Sequence, residues 1–402
     1  MEKRQKKLLI PFIALLVLAI LITGIALLVK KYMPSSKEMS LDDYFKVSKG
    51  EMQVILQDQI YDTKALYDNG EIYVDFGLVH DSLNSRFYWD AKENQLLYTT
   101  STAVISAAVD SNDYYTNKSK SSMDYPIVKV SGDNAYVALD YVKQYTALDY
   151  KKYKNPDRVV ITYRYNEKAD FAKAKKKAKL RYRASIKSDI LVNLNEGDEV
   201  SVLEQGSEST SGDSSAASFD KVMSADGVVG YVRKKDIGKL YQSEYTTDFK
   251  EEQYSHILKD GKVNLVWHQV MSTDANAGLS DSIQNMTGVN VISPTWFYVS
   301  DNSGNIINNA TIDYVSTAHD RGLKVWGLVD NFTQDISTYE VLSKTSSRQN
   351  LITQLVNAAV GAGIDGINVD FEQLSEDVGI HFLEFLRELS IECHKNNLVL
   401  SV

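Results

Sequence analysis

Three acids and an amide stand close together in Asp365-Gly-Ile-Asn368-Val-Asp370-Phe-Glu372. Read as a strand, this stretch alternates Ile367, Val369 and Phe371 with Asn368, Asp370 and Glu372. A period of two puts the polar residues on one face and the apolar ones on the other. A strand with one solvated face would show the same alternation. The segments on either side, Ser346–Gly361 and Gly379–Asn396, read as helices, which places the strand in a buried parallel sheet. Carboxylates held side by side in such a sheet are costly unless chemistry requires them. Paired acids two residues apart suit general acid catalysis combined with charge stabilisation.

The elements that must position these acids begin at Gly261. Val263–Gln269, Val289–Tyr298 and Leu323–Asp330 read as strands, and Leu398–Val402 begins another after the site strand. Ile312–Arg321, closed by Gly322, and His381–Lys395 read as helices. Successive βα units of this length are the pattern of a TIM barrel. An open doubly wound sheet would usually carry a Gly-rich phosphate loop after its first strand, and none is seen. Five strands do not close an eight-stranded barrel, so the chain is expected to be a fragment of a longer protein whose catalytic domain does not complete its fold here. Its open Val/Leu edge is expected to be aggregation-prone.

The stretch Asp365-Gly-Ile-Asn-Val-Asp-Phe-Glu372 resembles the Asp-x-x-Asp-x-Asp-x-Glu signature of glycoside hydrolase family 18. Val263–Gln269, Ser293-Pro-Thr-Trp-Phe-Tyr298 and Gly322-Leu-Lys-Val-Trp326 are similar to the family's first three strands, and the resemblance is nearest to its spore-cortex and peptidoglycan N-acetylglucosaminidases. It implies Glu372 as the general acid and Asp370 as the residue that orients the substrate's own N-acetyl group, which attacks the anomeric carbon with retention. Asp365 would be a supporting residue at the strand's start. Asn368 departs from the signature's usual Asp; it can hydrogen-bond Asp370 but cannot share its charge, so the pH profile is affected more than the activity. Active sites of this fold lie at the C-terminal strand ends, which makes Gln269, Trp296, Tyr298, Asp330 and Asn331 candidates for lining a sugar cleft. The plain alternative for each is a packed or loop residue. Trp296 and Tyr298 are favoured because aromatic faces stack on sugars. The family's acetamide-orienting tyrosine would fall beyond Val402. No cofactor or metal is implied. A wall-binding lectin on the same barrel is the alternative, although such relatives typically lose the final Glu. A chain that only anchors and spaces is a third reading.

Ahead of the barrel the chain reads as several modules, giving a multidomain fold class: a transmembrane helix, an α+β repeat module, an all-β SH3-like barrel and a partial TIM-type α/β barrel. Leu8–Val29 is an apolar run long enough to cross a bilayer, preceded by Lys3, Arg4, Lys6 and Lys7. The charge bias expects residues 1–32 to be a cytoplasmic tail and uncleaved anchor with all that follows outside the cell. After a polar linker, Met33–Asp43, residues 44–165 carry a repeat at an offset of 63, in which Gly70–Val74 aligns with Asp133–Val137 and Gln95–Leu97 with Arg158–Val160. Tyr73–His80 with Phe87–Lys92 resembles the copper amine oxidase N-terminal domain, without a histidine cluster that would imply metal chemistry. Residues 166–179, rich in Lys and Ala, read as a linker, either a solvated helix or a basic contact to anionic wall polymer or lipid. Residues 180–240 resemble a bacterial SH3 domain, with the Ser-rich Ser207–Ser218 as an inserted loop. A formal charge of −9 argues against a nucleic-acid partner, and the single cysteine, Cys393, excludes an internal disulfide and reads as core filler.

Overall fold

A computed structural model describes residues 2–206, 216–255 and 261–402. The chain is mixed α/β with several sheets and one N-terminal apolar helix, Glu2–Tyr32. Within that helix Leu15–Tyr32, of mean hydropathy 2.1, is long and apolar enough to cross a membrane. The chain divides into two compact units, one of residues 1–72 with 147–249 and the other of residues 73–146 with 250–402.

The first unit is built on a seven-stranded sheet in the order Ile190–Leu194, Ala178–Arg181, Val229–Arg233, Phe219–Ser224, Glu199–Glu204, Lys168–Lys173, Tyr241–Glu244. Residues 166–179 are therefore not a helical linker: Lys168–Lys173 is a strand paired on both sides. The alternation of buried Ala172, Ala174, Ala178 and Leu180 with exposed Lys173, Lys175 and Lys179 is a strand period, and it overrides the helix propensity of Lys and Ala. The Ser-rich stretch lies, from residue 207 to 215, outside the described residues. Met33–Asp43 is not a free linker either, since Met39 N–H donates to Ile190 O and Ile190 N–H to Lys37 O. Gly227, at φ +83°, sits where an added Cβ would press Val160 and Ile55 in the same core.

The two aligned stretches carry the same order of elements, although their closing strands belong to different sheets. Glu71–Asp75 and Asn134–Ala138 are each followed by a short helix and then by two strands, Phe87–Asp90 with Gln95–Thr99 and Asp149–Tyr153 with Arg158–Thr162. In the second unit, Phe87–Asp90 and Gln95–Thr99 open a five-stranded antiparallel meander that ends at Ser122.

The α/β part of that unit has five parallel strands: β1 (Leu265–His268), β2 (Val291–Val299), β3 (Lys324–Asp330), β4 (Gly366–Asp370) and β5 (Val399–Ser401). They are neighbours in strict chain order, with no reversal of the kind that defines a doubly wound sheet. The main helices are α1 (Ile312–Asp320), α2 (Thr345–Ala362) and α3 (Gly379–Lys395). Alternate residues Val325, Val329, Ile367 and Val369 bury in one apolar core with Leu351, Leu355, Phe385, Leu389 and Cys393 from α2 and α3. The opposite face, running from Trp267 through Ser293 and Asn368 to Ser401, carries polar groups. Gly366 makes room there, because a Cβ would lie 2.7 Å from Val399 O and 2.9 Å from Trp326 Cδ1. Gly366→Ala is expected to cost about 1–3 kcal/mol in urea unfolding, as overpacking against backbone does.

The meander is fastened to this α/β layer by helix capping from outside the helix. Lys344, which precedes α2, makes no side-chain cap. Asp90 Oδ2 instead accepts from Thr345 N at 2.7 Å and Thr345 Oγ1 at 2.6 Å, and Glu93 accepts from Ser346 N at 3.0 Å. Two carboxylates thus satisfy amides at the positive end of the helix dipole.

Candidate active site

The site strand is shorter than its alternation suggests. β4 ends at Asp370, so Phe371 and Glu372 lie just beyond it, and Gln373 turns the chain at φ +54°. Phe371 stacks on Phe385 with centroids 5.6 Å apart, which anchors the turn to α3. Glu372 is exposed, and its backbone is held by Asn331, whose Oδ1 accepts from Glu372 N at 3.0 Å and whose Nδ2 donates to Glu372 O at 3.0 Å. Asn331 Nδ2 also donates to Thr338 Oγ1 at 2.9 Å. One side chain from the end of β3 therefore fixes the backbone carrying the acid at the end of β4. Asn331→Leu removes both bonds and is expected to speed amide hydrogen exchange at Glu372 about tenfold or more, since the backbone there loses its fixed partner.

Asp330, Asn331, Asp370 and Glu372 thus gather at the C-terminal ends of β3 and β4. Asp330 is only 2% exposed and is the register partner of Asp370. Burial raises its pKa; the Phe332 N–H, donating to Oδ1 at 3.0 Å, opposes that rise, and the charge of Asp370 adds to it.

Other candidates are placed elsewhere. Asp365 precedes β4 at the opposite end, roughly 17 Å of strand away. It accepts from His319 Nε2 at 2.8 Å, Lys324 Nζ at 2.8 Å and Val325 N at 2.9 Å. Burial works against its charge, but these donors outweigh it and hold the carboxyl below its ordinary value. Asp365 therefore ties the base of the sheet, away from the acids gathered at the ends of β3 and β4. Asn368 does not bond Asp370 as expected: its Nδ2 donates to Ser401 Oγ at 2.8 Å, and its Oδ1 accepts from Trp267 Nε1 at 3.3 Å and Ser293 Oγ at 3.4 Å. It points across the sheet face because neighbouring strands supply partners there.

Trp296 does not line a cleft. It is 0% exposed, its Nε1 donates to Asn276 Oδ1 at 2.8 Å, and its ring packs on Tyr314 at 4.8 Å. A register shift between Thr295 and Phe297 interrupts the alternation and turns the ring into the core. Tyr298 is half-buried opposite Asp330, with its hydroxyl on Thr295 O at 2.9 Å and Val270 O at 3.1 Å. Gln269 is exposed one residue past β1. Two aromatics not singled out from sequence are better presented. Phe332, 55% exposed, follows Asp330 and Asn331, and Trp267, 65% exposed, lies on the polar face. The only sequence signal for Phe332 was an aromatic directly after a strand-ending Asp-Asn pair.

Residues 54–162 match the family of the copper amine oxidase N-terminal domain. No curated protein matches the chain. Among solved structures, a chitinase from Chromobacterium violaceum is similar at 21% identity over 35% of this chain and 44% of that one, with a TM-score of 0.30. A class V chitinase from Pseudomonas fluorescens is similar at 16% identity over 35% and 44%, with a TM-score of 0.29. The Bacillus cereus spore cortex-lytic enzyme SleL is similar at 16% identity over 39% and 38%, with a TM-score of 0.30. The chain spans less than half the length of each of these structures.

Proposed function

We propose that the chain is a membrane-anchored glycoside hydrolase of the family 18 type, acting outside the cell on a wall polymer that contains N-acetylglucosamine. The observation that carries this reading is the gathering of Asp370 and Glu372 at the end of β4, with Glu372 held at its backbone by Asn331 from the end of β3. In this reading Glu372 protonates the glycosidic oxygen. Asp370 receives the acetamide N–H and stabilises the positive charge that develops as the acetamide oxygen attacks the anomeric carbon. The bond to the leaving sugar breaks as the intramolecular bond forms, and water then opens the ring with configuration retained. Phe332 and Trp267 offer exposed aromatic faces for sugar rings. The helix ending at Tyr32 anchors the enzyme, with the copper amine oxidase-type and SH3-like modules between anchor and barrel contacting or spacing the wall.

The test is incubation of the full-length protein with purified peptidoglycan and with chitin oligosaccharides. Release of reducing ends whose first-formed anomer is that of the substrate, seen by proton NMR, is the expected result. Wall binding without turnover would overturn the enzymatic reading in favour of a lectin.

A further inference from the structure

Asn368 cannot share a proton with Asp370, and its amide bonds Trp267, Ser293 and Ser401 instead. Another carboxyl faces Asp370 from the side. Asp330 and Asp370 are paired in register on β3 and β4, on the sheet face that also bears Leu328 and Asn368. Neighbouring strands lie about 4.8 Å apart, so side chains from paired positions on one face meet. Asp330 Oδ1 is taken by the Phe332 N–H, and among the described residues its Oδ2 has no hydrogen-bond partner. Asp370 likewise has no side-chain hydrogen bond among the described residues, although it is half-buried. Two ionised carboxylates at such a position repel, and a single retained proton between them removes the conflict. The deeper group keeps it, and that group is Asp330.

Among the described residues, the groups that face this pair supply no cation to change this assignment. From β2 the facing residue is Tyr298, whose hydroxyl is spent on backbone carbonyls. From the loop after β3 come the Phe332 N–H and Asn331, which is committed to Glu372. From the helix Thr338–Leu342, Glu340 turns away into ion pairs with Lys92 at 2.6 Å and Lys344 at 3.1 Å.

We propose that Asp330 is a positioning residue for Asp370: it stays protonated, donates that proton in a hydrogen bond to the Asp370 carboxylate, and so performs from the adjacent strand the task that residue 368 cannot perform as Asn. The catalytic meaning of this pair rests on the glycosidase reading; the pairing itself does not.

Two measurements test it. The first is a carboxyl carbon-13 NMR titration of the full-length chain in detergent with labelled aspartate. Asp330 is expected to titrate above the ordinary aspartate range and to fall by about one pH unit in Asp370→Asn, as loss of a like charge requires. An Asp330 titration unchanged by that substitution overturns the proposal. The second compares Asp330→Asn, which keeps a donor, with Asp330→Leu, which does not. The Asn variant is expected to hold kcat within about tenfold and to move the alkaline limb of the pH profile upward, whereas the Leu variant loses about 100-fold in kcat at similar KM. Equal losses in both, or two profiles that superimpose on the wild type, overturn it. If the wild-type chain releases no reducing ends, the glycosidase reading fails while the NMR titration still decides the pairing.

Discussion

Glu372→Gln is expected to lower kcat for reducing-end release about 10²- to 10⁴-fold, the range associated with removing a general acid, while KM stays within a few-fold. Gln has the shape of Glu, and the backbone bonds that place this residue come from Asn331, not from its own side chain, so geometry should survive. What is lost is a proton for the departing oxygen. The penalty should therefore shrink on an aryl glycoside whose phenol leaves without protonation. Asp370→Asn should not show that relief, because the charge opposite the acetamide is needed whatever leaves. Undiminished turnover of wall polymer by the Gln variant would sink the assignment of the acid. An equal penalty on both substrates would point to damaged geometry instead.

The parts of the site that follow from local pattern could be read in the sequence. β4 and the helices around it rest on apolar periodicity and form close to where that pattern puts them, except that the strand stops at Asp370 and leaves Phe371 and Glu372 in the turn beyond it. The parts that depend on register could not. Which residue of β3 stands beside Asp370 is fixed by strand pairing, and it is Asp330. The irregular pairing at Thr295 and Phe297 turned Trp296 inward, an outcome that strict alternation along β2 does not forecast. The repeat at an offset of 63 could be read because each copy keeps its own turn, strand, helix and closing strands. By contrast, composition misled at 166–179, where many lysines and alanines suggested a helix although burial alternates with a period of two. Asp90 and Glu93 gave no sign that they cap a helix more than 250 residues later, since their partners, Thr345 and Ser346, are joined to them only by tertiary packing.

The second large effect is expected at a place remote from the chemistry. Arg348 is fully buried, and its guanidinium donates to Glu388 Oε1 at 3.0 and 3.1 Å, to Tyr88 Oη at 3.0 Å and to Leu342 O at 2.7 Å. Glu384, also buried, accepts from Thr99 Oγ1 at 2.5 Å and from Arg387 at 3.3 Å. Arg348→Met leaves the buried Glu388 without its ion-pair partner, and about 3–5 kcal/mol of stability in urea unfolding should go with it. The pH dependence follows from Glu388. Its burial pushes the pKa up from 4.5 to about 7; Arg348 opposes the shift, and the nearby charges of Glu384 and Asp90 add to it. A carboxyl raised on folding binds its proton more tightly in the native state, so its contribution is complete below about pH 4.5 and is lost as pH rises through about 7. Wild-type stability should therefore carry a falling component across that window, and Glu388→Gln should flatten it. Arg348→Met should push the Glu388 pKa higher still and extend the fall to more alkaline pH. In the double variant Arg348→Met with Glu388→Leu no unpaired charge remains at this pair, and most of the lost stability should return. A double variant as unstable as Arg348→Met alone would show that packing around the guanidinium stem, rather than its charge, holds the meander's first hairpin to α2 and α3.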